Sequence, residues 1–83
     1  MKVIELIRSL SMQQRELLAN EIGCTLSYLN GLDAKKRKPS ILMAYRIYKS
    51  KINKGLVNGK RFTKPELINY VEWHLEQSNE VQD

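Results

Sequence analysis

An all-helical fold is what this sequence predicts, and three observations predict it. Aromatic residues make up only 7% of the 83 residues and β-branched residues are scattered, while good helix formers dominate. Apolar residues recur at three- and four-residue spacing rather than in alternation. Ser11, Thr25, Ser40 and Thr63 each stand just ahead of such a run, where a hydroxyl can cap a helix N-terminus. The length suits one small domain over 1–83, with an adequate rather than generous core.

Val3, Ile4, Leu6, Ile7 and Leu10 form one stripe and predict a first helix over 2–10. Glu5 and Arg8 interrupt that segment, which is too short and too charged for a signal peptide or a membrane span. Ser11 caps a second helix over 12–22, with Leu17, Leu18 and Ile22 inward. Gly23 can take the positive φ of a sharp turn, and Ala19, four residues earlier, is small enough for two helices to cross there. Thr25 caps a third helix over 25–32, with Leu29 and Leu32 inward and Gly31 and Asp33 ending it. Residues 33–39, DAKKRKP, form a basic loop, and Ser40 caps a fourth helix over 41–51. Residues 53–60 hold Gly55 and Gly59 and read as a loop with a short extended piece at Leu56 and Val57. Thr63 and Glu66 make a capping box, with Pro65 tolerated in the first turn of a last helix over 64–77. Leu67, Ile68, Val71 and Leu75 are its stripe, Tyr70 and Trp73 lie off it, and 78–83 reads as a frayed tail.

The net charge of +5 is unevenly spread. Residues 35–64 carry eleven basic side chains and no acidic one, whereas 65–83 carry five acidic and no basic ones. Such a block suits a polyanion, because each phosphate neutralised releases condensed counterions. Catalysis and metal binding find no support. Cys24 has no histidine partner nearby in sequence, His74 is the single histidine, and Glu16 and Glu21 read as helix-surface charges. The expectation is a protein that is not an enzyme and has no cofactor and no metal. A lone cysteine cannot form an internal disulfide, so a reduced, cytoplasmic protein is the default expectation.

Residues 18–32, LANEIGCTLSYLNGL, have the spacing of a DNA-reading helix-turn-helix. The outward face of its second helix offers Leu26, Ser27, Tyr28 and Asn30 as base contacts. Asn30 can pair bidentately with adenine, Ser27 can donate to several base acceptors, and Leu26 or Tyr28 can meet a thymine methyl. Phosphate contacts are expected from Gln14 and Arg15 at a helix N-terminus, from Thr25, and from Lys35, Lys36, Arg37 and Lys38 in the basic loop. Tyr70 and Trp73 are candidates for a dimer or partner interface, the alternative for Trp73 being closure of the core against the first helix.

Several segments carry a family resemblance: Ile22-Gly23-Cys24, Ser27-Tyr28-Leu29-Asn30, the loop through Arg37, Pro39-Ser40, Ala44, Ile47, residues 58–63 and Glu66-Leu67. Over roughly 12–67 the chain resembles the lambda-repressor-like, Cro-type helix-turn-helix regulators of phages and prophages, and looks most like the short Cro-like YdaS-type antitoxin proteins. The resemblance implies a compact four- to five-helix fold and binding of an operator as a homodimer. Leu26 departs from the polar residue the family often carries there, and the last helix lies outside the shared pattern. The expected function is a sequence-specific double-stranded DNA-binding repressor occupying a palindromic operator, with no membrane partner. One alternative is an antitoxin or host-takeover protein that acts through a protein partner such as a toxin or RNA polymerase. A further one is a non-specific nucleic-acid binder driven by the basic block alone.

Overall fold

The computed structural model describes residues 2–34, 38–57 and 59–82, and its regular structure is entirely helical. The helices are α1 (Val3–Ser9), α2 (Met12–Ile22), α3 (Leu26–Asp33), α4 (Ile41–Lys49), α5 (Lys51–Gly55) and α6 (Lys64–Gln82). The core gathers Leu6 and Ile7 of α1, Leu18, Ala19 and Ile22 of α2, Leu29 and Leu32 of α3, and Ala44 and Ile47 of α4. Phe62 and Leu67 close it from the other side. No described helix is long and apolar enough to cross a membrane.

Hydroxyl caps set the starts of α2, α3, α4 and α5. The Ser11 hydroxyl accepts from the Gln14 N–H at 3.2 Å while Gln14 Oε1 accepts from the Ser11 N–H at 2.9 Å, a reciprocal capping box that opens α2. At its other end Gly23 adopts φ 78° and ψ 35°, and the N–H groups of Gly23 and Cys24 converge on the Ala19 carbonyl at 2.9 and 3.0 Å. A Cβ at Gly23 would meet its nearest atom only at 3.9 Å, so the demand for glycine is conformational. An L-residue held in this left-handed region costs about 1–2 kcal/mol. Thr25 Oγ1 then accepts from the Tyr28 N–H at 3.0 Å and starts α3. Cys24 is half-buried against the core, and burial pushes its thiol pKa up.

Four sequence expectations are corrected. Leu17 is 59% exposed, because the inward face of α2 runs through Arg15, Leu18, Ala19 and Ile22. The helix expected over 41–51 breaks at Ser50, whose buried hydroxyl donates to the Ile47 carbonyl at 2.7 Å and accepts from the Asn53 N–H at 3.1 Å. One side chain thereby ends α4 and begins α5, so part of the expected 53–60 loop is helical; Leu56 is extended, with ψ 153°, but forms no strand. Third, α6 extends to Gln82, past the 64–77 expected for it. Finally, the inward residues of α6 are Leu67, Tyr70, Val71 and His74, whereas Ile68 and Leu75 are 47% and 52% exposed. Glu66 Oε1 accepts from both the Thr63 N–H (3.3 Å) and the Thr63 hydroxyl (2.9 Å) at the start of this helix.

Asn53 joins the second half of the fold to the first. Its Nδ2 donates to the carbonyls of Tyr48 (3.0 Å) and Phe62 (2.8 Å), and its Oδ1 accepts from the Phe62 N–H at 2.8 Å. The clamp seats Phe62 in the core, edge-on to Tyr48 with ring centroids 6.4 Å apart.

Candidate nucleic-acid interface

The reversal from α2 to α3 places two capped helix N-termini on a frame held by α1 and α4. Around α3, Ser27 and Thr25 are exposed. Leu26 is half-buried, and Tyr28 is half-buried with its side chain packed on the core. Gln14 is half-buried, its Oε1 committed to the capping box, so its amide NH2 is the group it can offer outward. Lys35, Lys36 and Arg37 lie outside the described residues.

Arg15 is not an outward phosphate contact. It is 8% exposed, and its guanidinium is spent inside the protein. Nε donates to the Leu10 carbonyl at 3.3 Å, one terminal nitrogen to Asn30 Oδ1 at 2.9 Å, and the other to Asp33 Oδ2 at 3.2 Å and the Arg8 carbonyl at 3.5 Å. A guanidinium has only donors, so the Asn30 atom facing it is the amide oxygen. The oxygen that a bidentate adenine contact requires is thus already accepting a hydrogen bond. Asn30 keeps its NH2 and one lone pair of the oxygen uncommitted to Arg15.

Asp33, at the end of α3, completes a brace across the first three helices. Arg8 of α1 donates to Asp33 Oδ1 and to its carbonyl, both at 3.0 Å. The Arg8 hydrogen bond foremost, with Arg15 adding to it against an opposing desolvation, holds the Asp33 carboxyl below its ordinary value. Because the folded value is the lower one, this contribution is present above about pH 4 and is lost as pH falls through the folded value. Asp33→Asn is therefore expected to flatten the acid limb of stability against pH, measured by melting temperature, relative to wild type.

The described cations of residues 38–64 occupy several different places in the fold. Arg46 donates to the Ile22 carbonyl at 3.2 Å, which caps the C-terminus of α2. Lys49, Lys54, Arg61 and Lys64 border a groove of about 290 Å³ beside Tyr48 and Thr63. Lys38 sits instead with its ammonium 4.2 Å from the centroid of the Trp73 ring. Of Tyr70 and Trp73, expected as an interface, Tyr70 packs against the core. The Tyr70 hydroxyl donates to the Pro39 carbonyl, and burial, then the neighbouring Tyr28, pushes its pKa up to about 12. Trp73 is half-buried and lies 5.8 Å from Tyr70, with His74 edge-on to both rings. No group of three His, Cys, Asp or Glu able to hold a metal ion occurs among the described residues.

The fold defines an all-helical protein whose second and third helices are joined by a glycine turn and braced by an arginine–aspartate network. Comparison with protein-family models, with curated proteins and with solved structures finds no match for the chain.

Proposed function

We propose that this protein is a sequence-specific double-stranded DNA-binding regulator, acting as a Cro-like repressor in which α2, the Gly23 turn and α3 are a helix-turn-helix. The observation that carries the reading is the left-handed turn at Gly23 followed by the Thr25-capped α3. Ser27 and the Asn30 amide NH2 remain available on α3, and the run Lys35 to Lys38 follows it in sequence. A short capped helix of this kind enters a major groove, and adjoining cations fix its register on the phosphates.

A gel-shift titration tests this, using duplex from the flanks of the protein's own gene with scrambled duplex as competitor at physiological salt. Survival of the native band under excess competitor is the expected result; equal loss to scrambled DNA refutes sequence-specific binding. Ser27→Ala removes an exposed hydroxyl that caps nothing, so it is the clean probe of base reading. It is expected to weaken the specific complex about fivefold, the equivalent of ~1 kcal/mol. The double variant Lys49→Ala, Lys54→Ala is expected to leave that complex unchanged, since both residues border the separate groove.

Operator binding by this kind of fold uses two half-sites about one helical turn apart. The surface that suits a second copy is the exposed side of α6, where Ile68 and Leu75 align two turns apart. Lys60, Arg61 and Lys64 stand near its start, and Glu72 and Glu76 in its second half, so two antiparallel copies bring unlike charges together. Leu75→Lys is expected to convert a dimer to a monomer in sedimentation equilibrium; an unchanged mass would remove α6 as the contact. A chain inert toward DNA would leave the protein-partner reading, with this same side of α6 as its surface.

A further inference from the structure

A cavity of about 490 Å³ opens between the start of α1, the end of the α3–α4 connection and α6. Its walls are mostly apolar, formed by Val3, Ile4, Phe62, Tyr70 and Trp73. Two lysines, Lys2 and Lys38, join the lining, and Lys38 holds its ammonium over the Trp73 ring at 4.2 Å. Neither ammonium has an ion-pair partner among the described residues. The carboxylate of the lining, Glu66, accepts from both the N–H and the hydroxyl of Thr63.

We propose that this cavity binds a small amphipathic carboxylate. Its apolar body lies against Ile4, Phe62, Tyr70 and Trp73, and its carboxylate is held between Lys2 and Lys38. The volume falls in the range of small-molecule sites, which are typically apolar clefts with a few polar groups that fix orientation. An apolar body suits the walls, from which a free phosphate gains nothing, and a negative charge suits the two lysines of the lining. A single carboxylate on an apolar tail satisfies both. Lys38 ends the basic run, and the next residue, Pro39, accepts a hydrogen bond from Tyr70 in the cavity wall. This inference is independent of DNA binding.

Trp73 is the chain's single tryptophan, so its emission reports on the cavity directly. The full chain is titrated with octanoate, and with octanol as the uncharged comparator, while Trp73 fluorescence is followed. The expected result is a saturable change with octanoate, with octanol weaker by about tenfold or more. Lys2→Gln and Lys38→Gln, both at exposed positions, are each expected to weaken octanoate about fivefold. Matching melting curves establish that the variants fold. A non-saturating change overturns the proposal, as does equal binding of octanol and octanoate with both lysine variants indistinguishable from wild type. The assay contains no DNA, so its failure and that of the gel shift are separate results.

Discussion

Asn53→Ala is expected to destabilise the protein by about 4 kcal/mol, because it strips partners from three backbone groups at once. Asn53 is 3% exposed and bonds both the N–H and the carbonyl of Phe62, together with the Tyr48 carbonyl. Alanine would leave those groups without the partners that Asn53 supplies, and an unmade bond costs the desolvation of its group. For a domain of this size the loss corresponds to a fall in melting temperature of about 20 °C, read by circular dichroism. Asn53→Asp sharpens the test. A carboxylate still accepts from the Phe62 N–H, but its other oxygen faces the Phe62 and Tyr48 carbonyls. Those neighbours raise the folded pKa of the new group, so the variant should regain part of its stability as pH falls and the carboxyl becomes a donor. Equal loss at neutral and acid pH would mean that the clamp works by packing alone.

Arg15→Met is expected to cost about 3 kcal/mol while nearly preserving the length of the apolar stem. It leaves the Leu10 and Arg8 carbonyls and the Asn30 amide oxygen without the donor that Arg15 supplies, and leaves Asp33 with Arg8 alone. Lysine should not rescue it, since one ammonium cannot reproduce a fork that reaches four acceptors. Arg8→Met should cost less, because the Arg8 side chain is 52% exposed and water competes for its bond to Asp33. Urea unfolding midpoints separate the two variants. Equal costs would mean that burial of Arg15 contributes nothing beyond a surface ion pair.

The parts of the fold legible in the sequence are those fixed by neighbours in the chain. The bounds of α2 follow from Ser11 at one end and Gly23 at the other, and α3 from Thr25, because a cap and a left-handed turn are local events. Asn53 was read as a loop residue because the groups it bonds belong to Phe62, nine residues on, and to the end of α4. Nothing local distinguishes that asparagine from one in a turn. Ser50 is hidden in the same way, within a run that continues the helical pattern on both sides.

Arg15 was legible in principle. It stands three and four residues before Leu18 and Ala19 and so shares their face, but a buried arginine and a surface arginine are the same letter. The groups expected to face outward on α2 and α3 are therefore divided between the surface and the interior. Ser27 remains outward, whereas Arg15 and the oxygen of Asn30 serve the interior. On α6 the inward face is turned by about one residue because the aromatic ring of Tyr70, not the aliphatic Ile68, reaches the core and the Pro39 carbonyl.

The Arg8–Asp33–Arg15 brace has a practical corollary for how the protein is handled. Its charges meet at 3.0–3.2 Å and the Arg15 side chain is buried, so salt should loosen the Arg15–Asp33 half less than the exposed Arg8 half. The exposed lysines of α4, α5 and the α6 start, which lie outside the proposed operator contact, face solvent, and ion pairs they form with a charged resin weaken steeply as salt rises. Salt and acid are then orthogonal solvents for this molecule. A salt gradient at neutral pH should release it, still folded, from a polyanionic resin, whereas an acid wash begins to unlatch the helices themselves.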